Sequence, residues 1–253
     1  MAQNEKSKAP AVDGAVLIID LLASAGFPLT LSEICEQTGL PSASCHRILN
    51  ALLDHQMVAL NMSRKKSYSI GSKIFQVAST IYSKQSLIPF FYPIAEILKN
   101  EIHKPIFLSI PVGDTVVVVS KLESSLNSAF NLHIGQTLPL YSSASGKAIL
   151  SMYSETQQQN YLNGQKRVNP KIVEELPKIK EDLGRAKRLG YAVSQGEIEH
   201  HVSSIAAPIL NLRNEPIAAI STGISDEFLS DQNARDYSKR LIQAARQLSS
   251  RIV

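Results

Sequence analysis

Residues 29–53, LTLSEICEQTGLPSASCHRILNALL, read as two short helices meeting at a tight corner. Leu31, Ile34, Cys35 and Thr38 recur at i, i+3, i+4 and i+7, one face of a helix, and Gly39 supplies the residue that ends it. Pro41 and Ser42 open a second helix, since proline suits a first turn and a serine hydroxyl caps free amides. Cys45, Ile48, Leu49 and Leu52 repeat the apolar spacing, which leaves Ser42, Ala43, Ser44, His46, Arg47 and Asn50 facing outward. Short hydrogen-bonding side chains with one arginine fit a major groove. A plain helical hairpin with its polar side in water would carry the same pattern, so the following residues have to separate the two readings.

They favour nucleic acid. Residues 58–61 (VALN) and 67–70 (SYSI) alternate like two strands, and the loop between them carries Arg64, Lys65 and Lys66. A basic hairpin directly after a recognition helix is the wing of a winged helix-turn-helix, placed to touch phosphates beside the groove. The charge distribution agrees. Residues 1–40 hold two lysines against five carboxylates, a balance of −3, whereas residues 41–73 hold five basic residues against Asp54 alone, a balance of +4. Positive charge therefore begins where the recognition helix begins, as counterion release on phosphate binding requires. The net charge of the whole chain, +4, carries much less information.

The order and wording of these residues also resemble the DNA-binding half of the IclR (isocitrate lyase regulator) family of bacterial transcription factors. The resemblance is carried by the Gly39-Leu40-Pro41 corner, the His46-Arg47-Ile48-Leu49 recognition helix and the Tyr68-Ser69-Ile70-Gly71 exit from the wing. It continues into the second half of the chain through LYSSASGKAIL, RLGYAVSQGE, SIAAPILN and EPIAAISTG. It implies an α+β protein built from a winged helix-turn-helix, a linker helix and a GAF-like effector-binding domain. Its partners would be a double-stranded DNA operator and a second copy of the chain, as homodimer or homotetramer.

A chain of 253 residues, 44% hydrophobic and 19% charged, is long enough for one small and one larger globular domain. We expect a polar tail over 1–11, the DNA-binding domain over 12–71, a linker and dimerisation helix over 72–86, and the effector domain over 87–253. Val16, Ile19, Leu22 and Ala23 predict a first helix closing at Gly26. Ile74, Val77, Ala78, Ile81 and Tyr82 form the stripe of the linker helix, and the family likeness implies that it packs on a second subunit. Cys35 and Cys45 fall on apolar faces with no CxxC spacing, so two reduced core thiols and a cytoplasmic setting are expected. No stretch approaches membrane-spanning length, and no leader with the usual flanks is evident.

Beyond the linker, a helix over 87–103 precedes two apolar strands, 106–112 and 116–120, around Gly113-Asp114. Residues 130–134 are expected to add a strand. Helices follow after Ser145 and over 156–162 and 171–189, then strands over 190–193, 203–212 and 216–223, and a closing helix over 229–252. Hairpins surrounded by helices give an α+β second domain.

Its chemistry concentrates where residues 142–149, SSASGKAI, enter a helix. Free amides there, with Ser142, Ser143 and Ser145 beside them, make an anion site suited to a carboxylate, although serines before a helix also serve as simple caps. Family resemblance implies a small organic acid as effector, aromatic acids included. The positions matching its contacts are Ala144, Ser145, Ser194, Gln195, Ser204, Ser221 and Gly223. The chain departs from the family pattern at Ser194 and Gln195, where acidic residues are common, and at His201, where glycine is common.

Enzyme readings fail on spacing. Tyr141 stands where a phosphate loop ending in Gly146-Lys147 needs glycine, Ala144 stands where an SxxK nucleophile needs serine, and no GxSxG occurs. Glu197, Glu199, His200 and His201 are metal-capable types, but adjacent histidines seldom ligate one ion from regular structure. No cofactor is expected. The chain thus reads as a non-enzymatic DNA-binding regulator, a repressor in the simplest case. The alternatives are a small-molecule-binding or hydrolytic enzyme with a vestigial helix-turn-helix, and a winged-helix module for protein partners.

Overall fold

The computed structural model describes residues 8–61, 66–82, 87–124, 132–225 and 229–252. The chain divides into two compact units, Met1–Gln85 and Ser86–Val253. Among the described residues no helix is long and apolar enough to cross a membrane.

The first unit contains α1 (Pro10–Ala25), β1 (Leu29–Thr30), α2 (Leu31–Thr38), α3 (Ser42–Asp54), β2 (Val58–Asn61), β3 (Ser67–Ile70) and α4 (Ser72–Tyr82). Pro10 stands in the first turn of α1, where a missing N–H costs nothing, so the helix takes in two residues assigned to the tail by the sequence reading. The rest of that tail, 1–7, lies outside the described residues. Thr30 and Glu33 form a capping box on α2: the Glu33 carboxylate accepts the Thr30 N–H at 2.7 Å. Gly39 ends α2 in the left-handed region at φ 69°, its N–H on Cys35 C=O, and only glycine enters that region without strain. Ile18, Leu22, Ile34, Cys45, Leu49 and Tyr68, all buried, lock the three helices onto a sheet of order β1-β3-β2. Leu29-Thr30, which pairs with Tyr68-Ser67 as the third strand, is a two-residue element with no readable alternation.

The second unit contains α5 (Ile88–Ile102), β4 (Ile106–Val112), β5 (Thr115–Leu122), β6 (Thr137–Pro139), α6 (Ala144–Met152), α7 (Glu155–Val168), α8 (Ile172–Leu189), β7 (Ala192–Gln195), β8 (Val202–Leu210), β9 (Pro216–Ser225) and α9 (Asp231–Ser249). The six strands form one antiparallel sheet of order β6-β5-β4-β9-β8-β7. Alternation along the strands separates two cores. Ile106, Leu108, Ile205, Ala207, Ala218 and Ile220 point toward α5 and α9. Phe107 and Ala219 point the other way, into the core shared with α6, α7 and α8. The α6 face is the small one: Ala144, Ala148, Ala186, Ala192 and Ala206 pack together there. That lets a helix lie close on the sheet.

The strand expected over 130–134 is not formed at its described end, 132–134. Leu132 and His133 are irregular and Ile134-Gly135 form a turn, with Gly135 at φ 90° donating to Val118 C=O. Residues 130 and 131, the start of that expectation, lie outside the described residues.

Candidate functional site

In the first unit, the apolar stripe of α3 (Cys45, Leu49, Leu52) is buried, and the opposite face stays open. Ser42, His46, Arg47 and Asn50 are exposed and Ser44 is half-buried. Asn50 Nδ2 lies 3.4 Å from His46 Nδ1 one turn away, so these two side chains form one polar ridge. Ser42 does not cap the helix as the sequence reading expected. It is already helical; Pro41 occupies the N-cap position, its C=O accepts from the N–H of Ser44 and Cys45, and no side chain caps the end. The Ser42 hydroxyl therefore projects from the leading turn. Lys66 is exposed at the foot of β3, whereas Arg64 and Lys65 lie outside the described residues. Beneath the ridge, burial pushes the Cys45 thiol up to about 11; a hydrogen bond and charge interaction with Cys35 add to this, and a hydrogen bond from Thr38 partly opposes it.

In the second unit, strand parity explains which serines meet. Ser194 pairs with Ser204, Ser204 with Gly223, and Ala206 with Ser221, so one face of β7, β8 and β9 presents hydroxyls toward the start of α6. α6 reaches them because Gly146 has no side chain. A Cβ there would sit 2.5 Å from Leu140 Cα and from Pro139 O. Ser143 caps the helix by accepting the Gly146 N–H at 3.0 Å and donates its own proton to Pro139 C=O at 2.7 Å.

The result is a cleft whose polar side is Ser143, Ala144, Ser145, Ser194, Ser204 and Ser221. Leu132, Leu138, Ile198 and Val202 make its apolar side. Space open to water centres is about 20 Å³, room for a water molecule or two. A ligand the size of an organic acid therefore enters only if a wall gives way.

Five of the seven positions assigned to the effector from sequence line this cleft: Ala144, Ser145, Ser194, Ser204 and Ser221. Gly223 is buried in the ladder opposite Ser204 and is not among the residues that line the cleft. Gln195 does not belong. It follows Ser194 on β7 and so faces away, exposed, with its amide donating to Leu229 C=O at 3.1 Å.

The sequence reading weighed Lys147, one helical residue beyond Gly146, only as the end of a phosphate loop, rejected that, and gave it no other role. Its side chain is 1% exposed, and its Nζ donates to Asp182 Oδ2 at 2.7 Å, Glu197 Oε1 at 2.7 Å and Val193 C=O at 3.3 Å. All three ammonium protons are thus engaged. Glu197 lies in the β7–β8 connection, directly before Ile198 of the cleft, so this ion pair fastens a wall of the cleft to α6 and α8. A lysine directly before the apolar run Ala148-Ile149-Leu150 was the available signal. Glu197 is therefore a partner of lysine; among the described residues no group of His, Cys, Asp and Glu could hold a metal ion.

Comparison with known proteins adds family relationships to this geometry. Residues 11–61 match the IclR helix-turn-helix domain, and residues 79–250 match the C-terminal domain of bacterial IclR transcriptional regulators. Relatives include the HTH-type transcriptional regulator RhmR of Escherichia coli (strain K12), 27% identical across 97% of this chain and 94% of that protein. The transcriptional repressor IclR of the same strain is 23% identical across 92% of this chain and 86% of that protein. Among solved structures, an IclR homologue from Microbacterium hydrocarbonoxydans complexed with 4-hydroxybenzoate superposes with a TM-score of 0.73 at 20% identity, over 95% of this chain and 98% of that one.

Proposed function

The chain belongs to the IclR family of bacterial transcriptional regulators, and from that premise we propose that it is a repressor whose grip on an operator is set by a small organic acid bound at the α6 cleft. The family's members are non-enzymatic DNA-binding regulators with a C-terminal effector-binding domain. What remains specific to this chain is which residues read DNA, which hold the effector, and how copies pair.

The observation that carries the proposal is the joint presence of two unlike polar surfaces on separate units. One is the open ridge of α3: Ser42, Ser44, His46, Arg47 and Asn50 read base edges and phosphates, and Arg64, Lys65 and Lys66 of the wing hold the backbone. The other is the enclosed hydroxyl cleft, lined by Ala144, Ser145, Ser194, Ser204 and Ser221. Pairing falls to α4, where Phe75 is 76% and Val77 52% exposed with nothing in the same chain covering them among the described residues. Two copies joined there read half-sites about one helical turn of DNA, roughly 34 Å, apart. Effector occupancy alters operator affinity only through unequal binding to the two states of the paired protein. The relative bound to 4-hydroxybenzoate supports an organic acid as effector.

The test is genomic selection with the intact protein, followed by titration of the enriched duplex in rising salt. A common, nearly palindromic site is expected. Replacing Arg47 and Lys66 together by Ala should weaken binding and lower the salt slope by about two phosphate contacts' worth. No enriched site, with or without organic acids, refutes the assignment.

A further inference from the structure

Taking the α6 cleft as the effector site, we infer that its ligand is a small aliphatic monocarboxylate carrying hydroxyl or keto groups, and that dicarboxylates are rejected because the described lining offers no counter-charge. Three observations lead there. First, the N–H groups of Ala144 and Ser145 open α6 and have no carbonyl partner among the described residues, so the helix offers donors and a positive dipole end to one anionic group. Second, Ser145, Ser194 and Ser221 are 4%, 2% and 4% exposed, face the cleft, and make no side-chain hydrogen bond to any described residue. These hydroxyls are not among the sealed, unpartnered side-chain atoms of the described residues, which are Ser109 Oγ and Tyr161 OH, so they open onto the cleft, where a hydroxyl takes its hydrogen bonds from whatever enters. Three of them converging without partners mark places for ligand oxygens, and a bare alkyl acid would leave them unmatched.

Third, no charged side chain lines the cleft among the described residues. Lys147, the buried cation of the same helix, is committed to Asp182, Glu197 and the Val193 carbonyl. A second carboxylate would enter without a counter-charge, which is among the costliest burials available. An ammonium group fares no better, because no carboxylate lines the cleft among the described residues. Leu132, Leu138, Ile198 and Val202 take the carbon skeleton. One anion at the helix end, two or more hydroxyl or keto oxygens on the serines, and a short carbon chain between them describe the ligand class.

Isothermal titration of the full-length protein with matched trios tests it: glycerate, propionate and malonate at three carbons; gluconate, hexanoate and adipate at six. In at least one trio the hydroxy acid should bind tenfold or more tighter than both companions. Ser145→Ala and Ser221→Ala, each first shown to keep the ligand-free melting temperature, should weaken that hydroxy acid about tenfold and change the alkyl acid less than twofold. Tighter binding of malonate or adipate, or equal binding of the alkyl acid, overturns the class. If 4-hydroxybenzoate, titrated alongside, binds tightest and is lost in both serine variants, the cleft stands as the effector site and the hydroxy-acid assignment falls. If no acid binds, the cleft itself loses its role.

Discussion

The tripeptide Ser-Ala-Ser opens two helices of this protein with opposite results. At Ser42-Ala43-Ser44 it begins α3, and a basic residue, Arg47, follows on an exposed face. At Ser143-Ala144-Ser145 it begins α6, and a basic residue, Lys147, follows with 1% of its side chain exposed. The offset starts one residue upstream: proline takes the N-cap position in α3 and pushes Ser42 into the helix, whereas Ser143 is itself the cap of α6. The larger difference lies in the next residue. Cys45 follows the tripeptide in α3 and fills a core position, while Gly146 follows it in α6 and lets the backbone touch the preceding chain. Local chemistry starts both helices; one missing side chain decides which becomes a wall and which a reading surface.

Gly146→Ala should break this contrast most strongly, because its methyl meets backbone atoms of Pro139 and Leu140 rather than a yielding side chain. A loss of about 3 kcal/mol in the second unit is expected, read as a lowered unfolding midpoint there with the first unit unchanged. Next is Lys147→Met. It leaves Asp182 and Glu197 facing each other without their cation, and since both carboxylates keep some water contact the loss should be about 2 kcal/mol, below that of a fully buried pair. Arg47→Met, its counterpart on α3, should change stability by less than about 0.5 kcal/mol. If calorimetry finds the two basic residues equivalent, the contrast fails.

Arg47→Ala sharpens the same comparison on the DNA side: operator affinity should fall about tenfold, with the salt slope reduced by about one. A fluorescence-anisotropy titration at several salt concentrations decides it. The smallest effect concerns Cys45. Its thiol is held neutral in the fold up to about 11 against a reference of 9.0. Its contribution to stability is therefore complete below pH 9 and is lost as pH climbs toward 11, because the unfolded thiol ionises first. The loss should be on the order of 0.5 kcal/mol at pH 9 and grow beyond it, and Cys45→Ala should flatten that part of the stability profile.

Much of the architecture was legible because it rests on short-range periodicity. Cys45, Leu49 and Leu52 announce a buried helical face, and Gly39 announces a left-handed stop. In α1 the expected stripe of Val16, Ile19, Leu22 and Ala23 is rotated from the real one, since Gly14, Ile18 and Leu22 are buried while Val16 is 52% exposed. A helix rich in apolar residues all round does not itself say which side meets the core. The strand expected over 130–134 failed at its described end because Gly135 turns the chain back onto Val118, a long-range hydrogen bond with no local pattern. Gln195 was assigned to the cleft because it neighbours Ser194 in the motif. A strand sends neighbours to opposite faces, and only the register of β7 on β8 shows which of the two faces α6. Lys147, considered only as part of a rejected phosphate loop, had its actual role hidden for a related reason: its carboxylate partners lie 35 and 50 residues away.

By itself the sequence determined the winged helix-turn-helix, its polar ridge and the family likeness, since these depend on residues a turn or a hairpin apart. The family likeness also grouped serines of α6, β7, β8 and β9, but tertiary structure alone decided which of the grouped positions line the cleft, that its described lining carries no charge, and that the lysine beside it is already neutralised. The physical reason is that sheet register and the close approach at Gly146 bring distant segments within hydrogen-bonding reach, and contacts between distant segments leave no periodic trace along the chain.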